Sequence, residues 1–434
     1  MGAWSQTTHA PFTRRDRRHR LRHARFQTVR FHSVGAAVVR RDLRTSVCFV
    51  LLYLAAVVAF VVLSDAVGSS GAVLAWHKPS ELDQLSCISA LACYSTGQIF
   101  GSGNGDGEVV KIGARSIETV ALGAANVTGF TPFDSISCPT STWCMAVGQG
   151  TLGNSRAYTS EVLQGGAWRT MAGPANLGGG SLSCGSPQNC LDVATISLDG
   201  PQTVPVESAV VASHWDGTSW HRVPIPGDPL RAGDDLSVSC IGNTMCVVAG
   251  PHAYVWDGHS MRVVDIRAAR QHAVALSDAQ CMSVADCTVI GGPAEGGWKI
   301  PVSGPWFVWT IDGTHLALKA TVPVIRQTMS TSWIDCPRLP TCILVGEEIP
   351  PDRPARVNFA AYMWTGAKWV DMHLANQPWW HRFEYDQIRD LACTSTVSCF
   401  VVGFVQYGQT TDGFVDRWDG SRWSIVYDGH GRHV

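Results

Sequence analysis

Three observations predict an all-β chain, a seven-bladed β-propeller preceded by one N-terminal transmembrane helix. Fourteen of the fifteen cysteines fall into seven C-x5-C pairs. Successive pairs begin 51, 46, 56, 41, 55 and 57 residues apart, a period near that of propeller blades and unlike that of helical solenoids. A Trp-x-Gly-x-x-Trp turn recurs between the pairs, and an uncharged run lies near the amino terminus. The 434 residues are 45% hydrophobic and 16% charged, with 43 Gly and 17 Trp, which is enough to bury a large core and excludes a disordered chain or a coiled coil.

Residues 1–45 form a basic segment with eleven Arg, no Lys and two Asp, a net of +9, against 22 basic and 33 acidic side chains (−11) from Ser46 onward. Ser46 to Ser64, SVCFVLLYLAAVVAFVVLS, is nineteen residues without a charge, long enough to cross a bilayer as a helix. Arg40, Arg41 and Arg44 precede it and Asp65 follows it, so the positive-inside rule places residues 1–45 in the cytoplasm and the rest outside, a type II topology. A cleaved signal peptide is the alternative, because Ala66, Gly68, Ser69, Ser70, Gly71 and Ala72 follow the run. The run exceeds the roughly 7 to 15 residues of a signal core, which favours the anchor. The arginines between Arg14 and Arg30 suit orientation of the helix and contact with anionic lipid; nucleic acid is not the expected partner. Residues 65–81 are a linker in which Val73 to His77 reads as a strand able to close the ring, and the propeller is expected over 82–434.

Within each unit a short alternating segment ends at the first cysteine, as in SISC at Ser135 to Cys138, SLSC at Ser181 to Cys184 and SVSC at Ser237 to Cys240. A polar five-residue loop leads to the second cysteine and a second apolar segment: CMAVG from Cys144, CVVAG from Cys246, CILVG from Cys342, CFVVG from Cys399. A third strand and a tight turn follow: WDGTSW at Trp215 to Trp220, WTGAKW at Trp364 to Trp369, WDGSRW at Trp418 to Trp423, with weaker copies at Gly165 to Trp168, Trp256 to Met261 and Trp309 to Leu316. Lys111 to Ile117 stands for the turn in blade one. Four strands per unit with Gly and Asp at the turns make an all-β blade.

This pattern resembles exported bacterial β-propellers with an S-x-S-C…C-x-x-V-G…W-x-G-x-x-W repeat, and is similar in appearance to the Asp-box propellers of sialidase-like proteins. The resemblance covers roughly Leu82 to the C-terminus. The Asp box runs S-x-D-x-G-x-x-W, whereas Asp and Gly are adjacent here in WDGTSW and WDGSRW. In those enzymes the box is a structural turn away from the catalytic centre, so the resemblance implies fold rather than activity.

The pairs Cys87/Cys93, Cys138/Cys144, Cys184/Cys190, Cys240/Cys246, Cys281/Cys287, Cys336/Cys342 and Cys393/Cys399 read as one disulfide per hairpin in an exported domain, with Cys48 free in the membrane run. Zinc is a poor fit to an x5 spacing within a single hairpin, and reduced core thiols need no fixed spacing. Each short closed loop is worth about 2 kcal/mol in the loop-entropy model. The recurring Trp are expected to fill the space between blades.

Function is sought in what does not repeat. With strands named a to d from the axis outward, the a–b and c–d turns share one face and the b–c and d–a connections the other. The longer connections fall on the second face: Ser197 to Glu207, Gly291 to Pro305, Glu347 to Asn358 and Val405 to Gly413 between strands b and c, and Val370 to Asp390 between d and a. They carry Trp298, Trp306, Arg353, Arg356, Trp379, Trp380, Arg382, Tyr385 and Tyr407, aromatic faces and guanidinium groups suited to a sugar ring or a partner protein's anchor residues. Packing of Trp379 and Trp380 over the blade seams is the structural alternative.

Catalytic signatures are scarce: G-x-S-x-G, H-E-x-x-H and G-x-x-x-x-G-K-[ST] do not occur. Glu347, Glu348, Glu384 and Asp386 are the carboxylates available for glycoside chemistry, and they read equally as solvated loop charges. Gly103 to Glu108, GNGDGE, is expected to be a Gly-rich turn rather than a calcium loop. No cofactor and no metal site is expected. The sequence therefore favours a membrane-tethered extracytoplasmic module that binds a protein, peptide or cell-surface glycan. A carbohydrate-active hydrolase or lyase of sialidase-like type is the alternative, and two carboxylates about 5 to 10 Å apart in an axial pocket would favour it.

Overall fold

Each cysteine pair lies across one β-hairpin, and each hairpin is the inner half of a four-stranded antiparallel sheet. In the computed structural model, blade 1 consists of strand a (Glu81–Ser89), b (Ala92–Ile99), c (Asp106–Gly113) and d (Ile117–Thr119), hydrogen-bonded in that order. Six further sheets repeat the arrangement, with a strands at Phe133–Thr140, Gly180–Ser186, Ser237–Ile241, Val274–Ser283, Met329–Arg338 and Tyr385–Ser395. The third sheet has an additional short strand, Leu230–Arg231, paired with its strand c. The structure describes residues 79–99, 106–120, 122, 133–152, 155–174, 180–197, 207–226, 230–231, 236–250, 252–265, 274–284, 286–293, 305–312, 315–323, 329–348, 358–374, 385–407 and 410–429.

The protein is a seven-bladed β-propeller. Seven hydrophobic clusters each draw on two consecutive blades, from blades 1 and 2 (Tyr94, Val109 with Ile136, Leu163) to blades 6 and 7 (Ile343, Phe359 with Val401, Phe414). The seventh joins blade 7 to blade 1 through Phe400, Val402 and Tyr427 against Leu82, Val110 and Ile112, so the ring closes. Sheets packed on both faces leave little alternation: strand b of blade 6 is buried from Cys342 to Glu347.

All seven expected disulfides are present, Cys87–Cys93, Cys138–Cys144, Cys184–Cys190, Cys240–Cys246, Cys281–Cys287, Cys336–Cys342 and Cys393–Cys399. Such a set belongs to an oxidising, extracytoplasmic environment. Cys48, the run Ser46 to Ser64 and the segment Val73 to His77 lie outside the described residues. Among the described residues no helix is long and apolar enough to cross a membrane.

The Trp-x-Gly-x-x-Trp segments are two-residue hairpin turns. Gly217, Gly258, Gly366 and Gly420 have φ of 99, 90, 87 and 91° at the first central position, where a type II′ turn demands a residue without Cβ strain. The preceding aspartate closes the turn: Asp216 Oδ1 accepts from the N–H groups of Thr218 (2.8 Å) and Ser219 (2.9 Å), and Asp419 Oδ1 from those of Ser421 (2.9 Å) and Arg422 (2.9 Å). The hydroxyl groups of Thr218 and Ser421, each donating to the same oxygen at 2.7 Å, and these backbone hydrogen bonds hold both carboxyl groups well below the ordinary aspartate range. The flanking tryptophans face each other across the strands, at 5.8 Å for Trp215–Trp220, 5.6 Å for Trp364–Trp369 and 5.9 Å for Trp418–Trp423. Trp220 Nε1 donates to Ser160 Oγ of the preceding blade at 3.1 Å and Trp369 Nε1 to the Pro323 carbonyl of its preceding blade at 2.7 Å, which gives them the inter-blade role the repeat predicts.

Candidate functional site

The innermost strand of a blade is an edge strand, and its outward N–H groups must be satisfied by something other than a ladder. In this ring the neighbouring blade supplies side chains. Ser86 Oγ accepts from Cys138 N–H at 2.8 Å, Ser137 from Cys184 at 2.9 Å, Ser183 from Cys240 at 2.8 Å and Ser239 from Cys281 at 2.9 Å. Each serine immediately precedes its own blade's first cysteine and bonds the first cysteine of the next. A second tier, three residues before the cysteine, repeats the device: Ser135 accepts from Leu182 N–H at 3.1 Å, Ser181 from Val238 at 3.3 Å and Ser237 from Ala279 at 3.2 Å. The S-x-S-C segment is thus an inter-blade bracket.

Blades 5, 6 and 7 depart from serine at these positions. Gln280 Oε1 accepts from Cys336 N–H at 3.0 Å, Asp335 Oδ2 from Cys393 N–H at 2.7 Å, and Asp390 Oδ2 from Leu85 N–H of blade 1 at 2.7 Å. Ala392 stands where blade 7 would carry the first-tier serine. Asp278 Oδ1 accepts from Ser237 Oγ at 2.6 Å and from Ala279 N–H at 2.8 Å, and its Oδ2 from Gln280 Nε2 at 3.1 Å. Burial pushes the carboxyl groups of Asp278, Asp335 and Asp390 up to about 6, 7 and 8. Mutual repulsion adds to this for Asp335 and Asp390.

These three aspartates lie on the innermost strands of blades 5, 6 and 7, and sequence reasoning missed them. Of the carboxylates it selected, Glu347 is buried in strand b of blade 6 rather than solvated in a loop, at 5% exposure, Glu348 ends that strand, Asp386 is the second residue of strand a of blade 7, and Glu384 lies outside the described residues. The oxygens of Asp278, Asp335 and Asp390 are taken up by backbone, serine and glutamine donors, a bracing role. Glu108, the last residue of the GNGDGE run, is buried in strand c of blade 1 and its carboxyl group is pushed up to about 8 by desolvation. Gly103 to Gly105 lie outside the described residues. Among the described residues no three His, Cys, Asp or Glu side chains are grouped to hold a metal ion.

The a–b loops and c–d turns form the regular face. Gly217, Gly258, Gly366 and Gly420 sit against Gln188, Thr244, Pro340 and Val397, each the fourth loop residue after the first cysteine of the same blade. Asn189 Nδ2 donates to the Gly242 carbonyl at 3.1 Å and Ser398 Oγ to the Ala90 carbonyl at 3.1 Å, tying loops of neighbouring blades together.

The b–c and d–a connections leave from the opposite ends of the strands. Of the candidate contact residues, Trp298, Arg353, Arg356, Trp379, Trp380 and Arg382 lie outside the described residues. Trp306 opens strand c of blade 5, half-buried, and packs into the cluster between blades 5 and 6 and over Gly292. Val405 to Tyr407 and Thr410 to Gly413 are paired strand rather than an irregular insertion, Val405 with Asp412, Gln406 with Thr411 and Tyr407 with Thr410. Tyr385 begins strand a of blade 7 and pairs there with Gln406, so Tyr385 and Tyr407 occupy neighbouring strands at the same end of the blade. A shallow cleft of about 420 Å³, lined by Val210, Val211, Arg222, Val223, Pro224 and Ile225, lies at the outer strands of blade 3.

No protein-family model matches the chain, and no curated protein matches it. Similar solved structures include YCF48 bound to a D1 peptide, at 11% identity and a TM-score of 0.48 over 79% of this chain and 94% of that one. The β-propeller domain of the trilobed protease from Pyrococcus furiosus, described as having an open velcro topology, has 11% identity and a TM-score of 0.45 over 82% of this chain and 100% of that one. A fucose-specific lectin from Aleuria aurantia has 11% identity and a TM-score of 0.35 over 68% and 94%.

Proposed function

We propose that the protein is a membrane-anchored extracytoplasmic binding module: residues 1–45 in the cytoplasm, 46–64 across the bilayer, 65–81 as a linker, and the propeller presenting its b–c and d–a face to a protein, peptide or cell-surface glycan. The observation that carries this reading is the division of labour between the two faces. One is built from repeated disulfide loops and Asp-closed turns bonded to one another. Long connections, among them those between Thr119 and Phe133, Ser197 and Glu207, Pro293 and Trp306, Glu348 and Asn358, and Asp371 and Tyr385, belong to the other. Variable connections on a rigid scaffold are where binding residues concentrate. The seven disulfides and the arginine-flanked apolar run support export and anchoring.

A photo-crosslinking side chain placed in the full-length chain at Trp380 or Arg382, in its own cell envelope, is expected to capture a discrete partner. The same probe at Thr218 or Ser421, on the regular face, is expected not to. Capture from the second pair alone means that the binding face is the other one. N-terminal sequencing of the exported protein tests the anchor, because a mature terminus between Val67 and Val73 would identify the run as a cleaved leader.

A further inference from the structure

We infer that the loop-and-turn face of blades 5, 6, 7 and 1 docks on an anionic lipid surface, its apolar hairpin tips entering the headgroup layer and its Arg and Lys side chains reaching the phosphates. Six large apolar side chains are exposed among the described residues, and none is aromatic. Val263 and Leu318 lie on outer strands. The other four, Met282 and Val284 of blade 5, Val397 of blade 7 and Leu91 of blade 1, lie between the paired cysteines of their hairpins, each more than half exposed. Packing does not demand an apolar residue there. Val397 covers Gly420 of its own c–d turn, but Gln188 and Thr244 do the same for Gly217 and Gly258 in blades 3 and 4. The tips of blades 7 and 1 are also held firmly: Ser395 Oγ accepts from Val397 N–H at 3.4 Å, Ser89 Oγ from Leu91 N–H at 3.3 Å, and Ser398 Oγ donates to the Ala90 carbonyl at 3.1 Å, which joins the two hairpins.

Charge selects the partner. The segments between paired cysteines and the c–d turns of the seven blades hold four Lys or Arg residues: Arg338 and Lys368 of blade 6, Arg422 of blade 7 and Arg115 of blade 1. All four are exposed, and they fall in three consecutive blades. The same segments of blades 2, 3 and 4 hold no Lys or Arg and carry Asp216 and Asp257. Against the four cations stand Asp419, whose carboxylate is closed into its own turn, and Asp286 of blade 5. Aliphatic tips beside arginine and lysine match a surface that is anionic above and apolar beneath, the order of a phospholipid headgroup layer. Protein-binding hot spots are instead led by Trp and Tyr with Arg. The inference rests on the exported, tethered chain proposed above. Strand a of blade 1 starts at the end opposite these loops, and its nine residues cover about 30 Å. The fourteen residues 65–78 reach at most about 46–50 Å. A tether of that length passes the depth of a blade, so the loop face can lie on the bilayer with the b–c and d–a face turned outward, and tethering makes a weak lipid contact effective.

The test replaces Leu91, Val397 or Thr411, one at a time, by a fluorescent amino acid in the full-length chain. The chain is reconstituted in vesicles that carry a headgroup nitroxide quencher, made of phosphatidylcholine with or without phosphatidylglycerol. With phosphatidylglycerol present, quenching is expected at positions 91 and 397 and not at Thr411, which lies at the opposite end of blade 7. Each Lys or Arg near anionic lipid changes binding roughly fivefold, so Arg115→Gln with Arg422→Gln should lower the docked-to-free ratio roughly twenty-fivefold. High salt should act in the same direction. Quenching at positions 91 and 397 no greater than at Thr411, or unchanged in neutral vesicles and in the double variant, would overturn the lipid face. Quenching that requires an added envelope protein would overturn it too and assign the patch to a protein partner. Flotation on neutral vesicles reads the anchor separately: a chain that floats without quenching sinks this inference alone, and one that is quenched in anionic vesicles but does not float on neutral ones sinks the anchor alone.

Discussion

Removing one serine bracket should cost more than its single hydrogen bond suggests. In Ser183→Ala the Cys240 N–H, at 2.8 Å from the hydroxyl it loses, becomes a donor on the inner edge of a strand with its ladder partners on the other side. Cys240 is 7% exposed, so water does not readily replace the hydroxyl. A neutral hydrogen bond contributes about 0.5–1.5 kcal/mol net, and an orphaned buried donor raises the cost to about 1–3 kcal/mol. With about 2.1 cal/mol/K of unfolding entropy per residue, a propeller of about 350 residues has roughly 0.7 kcal/mol/K, so about 2 kcal/mol lowers the melting temperature by about 3 °C. Ser186→Ala is the matched control. That hydroxyl accepts from Gln188 N–H at 3.2 Å within its own exposed loop and should shift the midpoint by less than about 1 °C. Scanning calorimetry of the two variants checks both values. Equal shifts for Ser183→Ala and Ser186→Ala would refute the bracket, since the loss would then be that of any serine.

The same logic predicts a gain where the bracket is missing: Ala392→Ser should give Cys87 N–H a partner across the closing seam and raise stability by about 1 kcal/mol, read as a higher denaturation midpoint. Gly420→Ala should destabilise by about 1–3 kcal/mol, because φ is 91° and an added Cβ would lie 2.9 Å from Val397 Cβ; chemical denaturation measures it, and a neutral result would mean that the turn relaxes freely. Replacing Cys184 and Cys190 together by serine should cost about 2 kcal/mol, the value for one short closed loop, and leave a folded ring. Loss of folding on removing this single pair would show that the disulfides act together.

How far the sequence could be read follows from what each signal requires. Blade count and disulfide pairing are local: both cysteines of a pair lie within one hairpin, and seven copies at a near-constant interval leave no alternative partner. The serines ahead of the cysteines were visible as a repeat, but their purpose is a contact between residues 42 to 57 positions apart, which a single unit does not contain. Asp278, Asp335 and Asp390 were legible only as departures from that repeat, in blades where serine is expected. Glu347 was misplaced because blades are packed on both faces, so a strand carries no solvent-facing alternation to show which polar residue is buried. Trp306 was read as a loop residue, yet strand c of blade 5 begins with it and its ring fills a seam.

The seam between blades 7 and 1 differs from the other six in having no d–a connection along the chain to hold it, so its strength must come from side chains and backbone contacts alone. Blade 7 keeps all four of its strands from one continuous stretch, Tyr385 to Tyr427, so closure is made by packing rather than by exchange of a strand within the described residues. Several contacts concentrate there. Asp390 takes the Leu85 N–H, Ser398 Oγ reaches the Ala90 carbonyl, and Gly413 N–H donates to the Pro79 carbonyl at 3.1 Å, so the chain just ahead of blade 1 touches strand c of blade 7. Tyr427, Phe400 and Leu82, all fully buried, fill the space between them. These contacts compensate for the bracket that Ala392 omits. The one junction without a d–a connection along the chain is therefore held by inter-blade hydrogen bonds and by this buried aromatic and aliphatic packing together.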